Sequence, residues 1–339
     1  MLKITVSKKK IVQKILYFVC AFCLACAPNA LHRLSLKADG AAHSKGECVV
    51  DVASKRFLHA LNADAELPMA STTKILTAII AIEDCDLREE VVIPKEAEGV
   101  EGSSVYLRAG DVYTVEDLLY GLMLRSGNDC AETLALHHSG SIAAFARVMN
   151  RRAQRMGAEH SFFVNPHGLP DERHHTTARD LALISAHAMQ NETFRKVVSC
   201  RFYEPRGWKN KNKMLFEYEG AEGVKTGFTV RAGRCLVTSA ERGGMRAVCV
   251  VLSSPQMYER SAELLDEAFS RYTPVTLCEQ GQKFEGMTAK NPFSYPLTES
   301  ERAFVRYETQ GAADEGLVLL KIYLKNDLLF SQNLYMIEE

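Results

Sequence analysis

Ser71-Thr72-Thr73-Lys74 places a hydroxyl and an amine three residues apart. On a helix that spacing puts both side chains on one face, so the amine can reach the hydroxyl. A serine hydroxyl is a weak nucleophile until an adjacent base takes its proton. Burial disfavours the charged ammonium and lowers a lysine's pKa, which lets Lys74 act as that base. A serine that opens a helix also carries its own backbone N–H at the positive end of the helix, where an oxyanion is stabilised. The chemistry expected is acyl transfer, with Ser71 as nucleophile and Lys74 as general base.

Two further short motifs extend this pair. Ser126-Gly127-Asn128 supplies a hydroxyl that can relay a proton and an amide that can hold Lys74 and a substrate amide. Lys225-Thr226-Gly227 supplies a positive charge, a hydroxyl for a carboxylate, and a glycine that lets a substrate come close. Phe228 follows, and its backbone N–H is the expected second oxyanion donor. Each motif alone is weak: Ser7–Lys10 repeats the first and Ser331–Asn333 the second. Their order and spacing carry more, with 55 residues from Ser71 to Ser126 and 99 from there to Lys225.

These groups must be held by particular elements. The run from Ser71 to about Glu83 is apolar nearly all round, as in a helix buried in a large domain. Thr114 with Asp117 reads as a capping box that starts a helix from Val115 to about Leu124, and Ser126–Asn128 breaks it. Helices are expected over about Asp129–His138, Ile142–Met156, Ala178–Met189 and Leu264–Tyr272. Strands are expected at Cys48–Ser54, Arg56–Ala60, Gly223–Thr229, Arg234–Ala240 and Met245–Leu252. An edge strand carrying Lys225 could align an extended peptide by main-chain bonds. Past Pro274 the chain alternates as an all-β segment, with a turn expected at Asn326-Asp327. This pattern predicts an α+β fold, an antiparallel sheet with a helical subdomain, and a small C-terminal β-rich domain. The expected divisions are an export signal over residues 1–30, a main domain over 31–273 and the β-rich domain over 274–339.

Composition narrows the partners. Residues 1–30 hold five lysines, no acid and the apolar run Ile15–Ala27, the pattern of an export signal. The remainder has 36 basic against 42 acidic residues, too little positive charge for a nucleic-acid partner. Of ten cysteines, three fall in the signal and seven follow it, with no metal-ligand spacing. Free buried thiols are expected. His137-His138 and His174-His175 are adjacent pairs that point different ways on a helix, so no metal is expected.

The combined motifs are those of penicillin-binding proteins and β-lactamases. From about Cys48 to Tyr272 the chain resembles the low-molecular-mass penicillin-binding proteins, the D-alanyl-D-alanine carboxypeptidases of the S11 serine peptidases. The likeness rests on Asp64–Lys74, Gly99–Ser104, Leu124–Asp129, Asn165–Leu169, Thr177–Asp180 and Glu222–Thr229. It implies a β-lactamase/transpeptidase-like domain and a reaction on peptidoglycan stem peptides ending in D-Ala-D-Ala. It also implies covalent inhibition by β-lactam antibiotics and no cofactor. The implied catalytic residues are Ser71, Lys74, Ser126 and Asn128; Lys225, Thr226, Gly227 and Phe228 are the implied substrate-binding residues. Arg246, on the strand paired with the one after Lys225, is expected to help hold the terminal carboxylate, a bidentate task suited to arginine. Two departures stand out. No amphipathic anchoring helix ends the chain at Met336–Glu339, so contact with a membrane surface is left open. The last segment is only loosely like the family's. A β-lactamase on the same scaffold, an endopeptidase or transpeptidase, and a non-catalytic wall-binding protein are the rival readings. The first lacks an E-x-x-L-N segment between the second and third motifs.

Overall fold

A computed structural model describes residues 44–312 and 317–335 of the chain. The expected export signal and the chain's last residues lie outside them.

The central sheet is antiparallel, in the order β2-β1-β5-β4-β3. Its strands are β1 (Gly46–Asp51), β2 (Phe57–Leu61), β3 (Ala221–Thr229), β4 (Gly233–Arg242) and β5 (Met245–Leu252). Side chains of a strand alternate between faces. In β1 and β5, Cys48, Val50, Val248, Val250 and Leu252 join one apolar cluster, while Val49, Ala247, Cys249 and Val251 join another. Both faces are covered, which explains why these strands read as unbroken apolar runs.

One face carries the helical block: α1 (Lys74–Asp84), α2 (Val115–Tyr120), α3 (Asn128–Ser139), α4 (Ile142–Arg155), α5 (Ala178–Gln190) and α6 (Glu192–Ser199). Helix α1 is its centre, buried continuously from Lys74 to Ala81. Each fully buried isoleucine or leucine there contributes about 1.5–3 kcal/mol relative to exposure. Helix α7 (Met257–Arg271) covers the other face. It starts seven residues earlier than expected, because Ser261 hides the stripe Met257, Ser261, Leu264, Leu265, Ala268 that faces the sheet. Ser261 is tolerated there because its hydroxyl donates to the Met257 carbonyl at 2.7 Å. The capping box at Thr114 is only half formed. Thr114 accepts from the Asp117 N–H, but the Asp117 carboxylate is turned to Tyr203 and Arg206 instead.

The C-terminal domain is β-rich. Strands β6 (Thr273–Cys278) and β7 (Phe293–Leu297) pair with each other. Strands β8 (Val305–Ala312), β9 (Leu317–Leu324) and β10 (Asp327–Tyr335) form a sheet with the short segments Lys283–Phe284 and Met287–Ala289. Its own apolar cluster includes Leu277, Met287, Leu320, Ile322 and Leu334. The β9–β10 turn is Lys325-Asn326, one residue earlier than expected, because Leu324 pairs with Asp327. Lys325 takes the positive φ that such a two-residue turn demands. Arg56 ties the β1–β2 hairpin to this domain. Its guanidinium donates to the Pro296 carbonyl at 2.6 Å and to Glu301 at 2.5 Å, and lies over the rings of Tyr272 and Tyr295.

Candidate active site

Ser71 sits in a single 3-10 turn, Ala70–Thr73, that runs straight into α1. Ala70 holds a positive φ of 49° immediately before it. Thr72 donates to the Met69 carbonyl and Thr73 to the Ala70 carbonyl, so the turn's own side chains lock it. Thr73 also meets Nε2 of His174 at 2.8 Å, and Nδ1 of His174 accepts the Val164 N–H. Since Nδ1 accepts, the proton is on Nε2 and the ring is neutral. Burial pushes the His174 pKa down to about 3.

Lys74 is fully buried. Its Nζ lies 2.9 Å from Ser71 Oγ, 2.6 Å from Asn128 Oδ1 and 2.7 Å from the His167 carbonyl. Two of these partners are acceptors only. A neutral amine has two N–H groups and one lone pair. With both N–H groups given to Asn128 and His167, the lone pair faces the Ser71 hydroxyl. Burial lowers the Lys74 pKa well below its ordinary value, and the nearby charge of Lys225 lowers it further. Electrostatics and hydrogen-bond directions therefore agree on a base aimed at Ser71.

Each of the two acceptors is itself fixed. Asn128 Nδ2 donates to the Glu101 carbonyl, which turns Oδ1 toward Lys74. Asn165 Oδ1 accepts from the His167 and Gly168 N–H groups, and Thr77 donates to the Pro166 carbonyl. His167 Nε2 pairs with Glu132 while Nδ1 accepts from Leu169 N–H. The His167 side chain thus anchors the loop and its carbonyl faces the site. Gly168 has φ +90°, and a Cβ there would stand 1.9 Å from the Ala70 carbonyl oxygen. Only glycine lets this loop close on the nucleophile turn.

Ser126 is placed by a π-turn, Gly121–Arg125, that continues α2, and takes φ 66° at its end. A plain helix was expected to Leu124. The wider turn forms where Gly121 lies against Cys130 and Trp208, since a Cβ at Gly121 would be 2.6 Å from Cys130 Sγ. Asp129 accepts from Ser104 Oγ and from the N–H groups of Val105 and Leu107, which fixes the neighbouring wall that includes Ser103.

Strand β3 is the sheet edge beside Ser71. A Cβ on Gly227 would lie 3.1 Å from the Ser71 nitrogen, so the two chains touch. Phe228 pairs with Arg234. The Arg234 carbonyl accepts from Ser254 N–H, on the side away from β3. In an antiparallel ladder a residue's N–H and C=O point to the same neighbour. The Phe228–Arg234 pair is therefore not hydrogen-bonded, and the N–H and C=O of Phe228 face the open edge beside Ser71. Lys225 is buried and donates to the Thr226 carbonyl at 2.8 Å. Burial, with the Lys211 charge adding to it, pulls the Lys225 pKa down to about 7.

A cleft of about 430 Å³ is lined by Ser71, Ser126, Thr226, Gly227 and Phe228, with Ser103, Lys211, Arg234 and Tyr258 among its other walls. Lys74 and Asn128 lie buried behind Ser71. Arg246 is the expectation that fails. It pairs with Glu241 at the opposite end of the sheet, and its guanidinium is held by Glu222 and Glu241. Sequence patterning found the strand, but β4 stands between it and the edge strand β3, and Arg246 lies near its start at the far end. A turn over residues 230–232 folds Arg234 back beside Phe228, so a count along the hairpin selects Arg234 as the arginine of the cleft. The histidine pairs separate to different partners: His137 to Glu89, His138 to Asp84, His174 to Thr73. The seven cysteines of the described residues are free, and five of them are buried.

The family model for D-alanyl-D-alanine carboxypeptidase, S11 peptidases, matches residues 34–256. The D-alanyl-D-alanine carboxypeptidase DacF of Bacillus subtilis is 31% identical over 302 residues, covering 80% of this chain and 77% of its own. A D-alanyl-D-alanine carboxypeptidase of Streptomyces sp. strain K15 is 36% identical, covering 61% of this chain and 79% of its own. Among solved structures, penicillin binding protein 5 of Haemophilus influenzae superposes with a TM-score of 0.75 at 25% identity. That match covers 90% of this chain and 99% of the other, so it extends into the C-terminal domain. The C-terminal likeness is thus closer than sequence alone suggests. By its family match and its fold, this chain belongs to the D-alanyl-D-alanine carboxypeptidases of the S11 serine peptidase family.

Proposed function

We propose that the protein removes the terminal D-alanine from peptidoglycan stem pentapeptides through an acyl-enzyme on Ser71. The observation that carries this reading is the buried Lys74 amine, 2.9 Å from Ser71 Oγ and held by Asn128 Oδ1 and the His167 carbonyl. The stem peptide lies along the open edge of β3. Its terminal carboxylate meets Lys225 and Thr226, and the carbonyl of its penultimate D-alanine points between the N–H groups of Ser71 and Phe228. Ser71 Oγ attacks that carbonyl carbon while its proton passes to Lys74. The two N–H groups hold the oxyanion. As the C–N bond breaks, Ser126 passes a proton to the leaving amine, and D-alanine departs. Water then cleaves the ester, its proton leaving by the same lysine. Asn128 positions Lys74 and the peptide amide throughout.

A β-lactam would acylate Ser71 in the same way, but its ring-opened nitrogen stays tethered. No carboxylate lines the cleft among the described residues. Fast hydrolysis of that adduct, which needs a carboxylate to activate water, is therefore not expected. The lysine-rich, apolar N-terminal segment and the family's cell-wall chemistry support action outside the cytoplasm.

The test is free D-alanine released from a pentapeptide ending in D-Ala-D-Ala, with and without penicillin. Ser71→Ala is expected to abolish release and penicillin labelling together. Normal release by that variant would end the assignment.

A further inference from the structure

Helix α3 approaches the buried amine with one face. Asn128 and Glu132 stand four residues apart on it, so their side chains are neighbours. Asn128 Oδ1 meets Lys74 Nζ directly, at 2.6 Å. Glu132 reaches the same amine through one intermediary. Its Oε1 lies 3.1 Å from Nε2 of His167, and the His167 carbonyl accepts from Lys74 Nζ at 2.7 Å.

The imidazole between them is held at both nitrogens. Nδ1 accepts from the Leu169 N–H at 3.2 Å, so the ring proton is on Nε2 and is given to Glu132. Burial lowers the His167 pKa against the pull of Glu132, which keeps the ring neutral. A carboxylate only accepts, so Glu132 selects this tautomer and leaves Nδ1 for Leu169.

This clamp spans the most pliable point of the loop. Gly168 lies between His167 and Leu169, at φ +90°. Contact with the Ala70 carbonyl demands glycine there, and glycine leaves the backbone free to rotate. The peptide that joins His167 to Gly168 carries the carbonyl that holds Lys74. Asn165 Oδ1 takes the N–H of that peptide at 2.7 Å, and the imidazole fixes the residue beyond the glycine. Without Glu132, Nε2–H is unpaired at a buried site, and the ring is free to turn toward another acceptor and release Leu169.

We propose that Glu132 is a positioning residue for the general base, acting through the His167 imidazole to hold the carbonyl that keeps Lys74 at Ser71. The inference rests on the acyl-enzyme reading of Ser71 and Lys74 and adds a residue to it. A glutamate near the start of a helix also gains from the helix dipole. That role would stabilise α3 without reaching Lys74, and the two roles predict different couplings.

The test is the limiting rate of Ser71 acylation by a fluorescent penicillin, with the half-saturating concentration measured alongside. Glu132→Leu is expected to lower the limiting rate about 10-fold, the scale of one lost charge-assisted hydrogen bond, and to leave half-saturation unchanged. Glu132→Gln still accepts from Nε2–H and is expected to restore most of the rate. In a His167→Leu background the intermediary is gone, and Glu132→Leu is expected to slow acylation by less than about twofold more. Full end-point labelling checks that each variant is folded, and Glu132→Ala replaces Glu132→Leu in the cycle where that variant is not. An unchanged limiting rate in Glu132→Leu, or the same loss with and without the imidazole, overturns the inference and leaves Glu132 as a stabiliser of α3. No labelling of the wild-type protein overturns the acyl-enzyme reading, and this inference with it.

Discussion

The two ends of one antiparallel sheet hold similar residues and behave in opposite ways. At the far end lies a cavity of about 580 Å³, larger than the cleft at Ser71, with Glu217, Glu219, Glu222 and Glu241 in its walls. Arg246 and Arg242 close ion pairs there, and Glu222, with Glu241, raises the Arg246 pKa. At the Ser71 end, Lys74 and Lys225 are buried without a carboxylate bonded to either, and their pKa values fall. Burial acts on cations at both ends; only at one does a partner cancel it. In the larger cavity Glu222 and Glu241 are paired with Arg246, whereas behind Ser71 the buried amine of Lys74 has no carboxylate bonded to it. Size does not locate the site, whereas uncompensated burial beside a nucleophile does.

The sharpest way to break this contrast is to remove the buried amine. Lys74→Met keeps roughly the volume and deletes the base. General-base contributions of about 10²–10⁴-fold are typical, so penicillin acylation of Ser71 is expected to slow by about 10³-fold. Measured acylation rates within a few-fold of wild type would mean that another group takes the proton.

Much of this end was legible in sequence. The Ser71–Lys74 spacing on an all-apolar helix gave both the nucleophile and the burial of its base, and the strand after Gly223 gave the open edge. Three things were not legible. The His167 carbonyl is a backbone group, so no residue type announces it as a ligand of Lys74. The role of Gly168 depends on a contact with Ala70, almost a hundred residues earlier. Arg234 lies on β4 beside the edge strand and Arg246 on β5 at the far end, and the apolar pattern of the two strands does not say which of these positions faces the cleft. In α7, Ser261 broke an apolar stripe that its bond to Met257 makes tolerable.

The second test contrasts titration at the two ends. His174, behind the nucleophile turn, is held neutral by burial with a pKa of about 3. The sign follows from linkage: the unfolded chain binds a proton below about pH 6.5 and the folded protein does not. Stability from this group is complete above that pH and is lost as pH falls toward 3. The slope is at most about 1.4 kcal/mol per pH unit. His174→Gln, which can still donate to Thr73 and accept from Val164, is expected to flatten the loss between pH 6.5 and 5. Denaturant melts of both proteins at the two pH values measure it. Equal losses in the two would show that His174 takes up its proton in the folded state.

The smallest effect belongs to the far end. Arg246 bonds Glu222 in bidentate fashion and also meets Glu241, at a partly exposed site. Exposed and half-exposed pairs contribute little, because solvent screens them and ordering the side chains costs entropy. Arg246→Ala is therefore expected to cost about 1 kcal/mol of stability, and to leave kcat/KM for D-alanine release within about twofold, well under the tenfold that 1.4 kcal/mol represents. Both numbers matter together. A stability loss with unchanged turnover places Arg246 among structural ion pairs, as its geometry dictates. A selective rise in KM at unchanged stability would instead mean that the substrate's carboxylate reaches this end of the sheet. The terminal carboxylate would then lie beyond Lys225, toward the Glu222 end of β3, with the peptide direction unchanged.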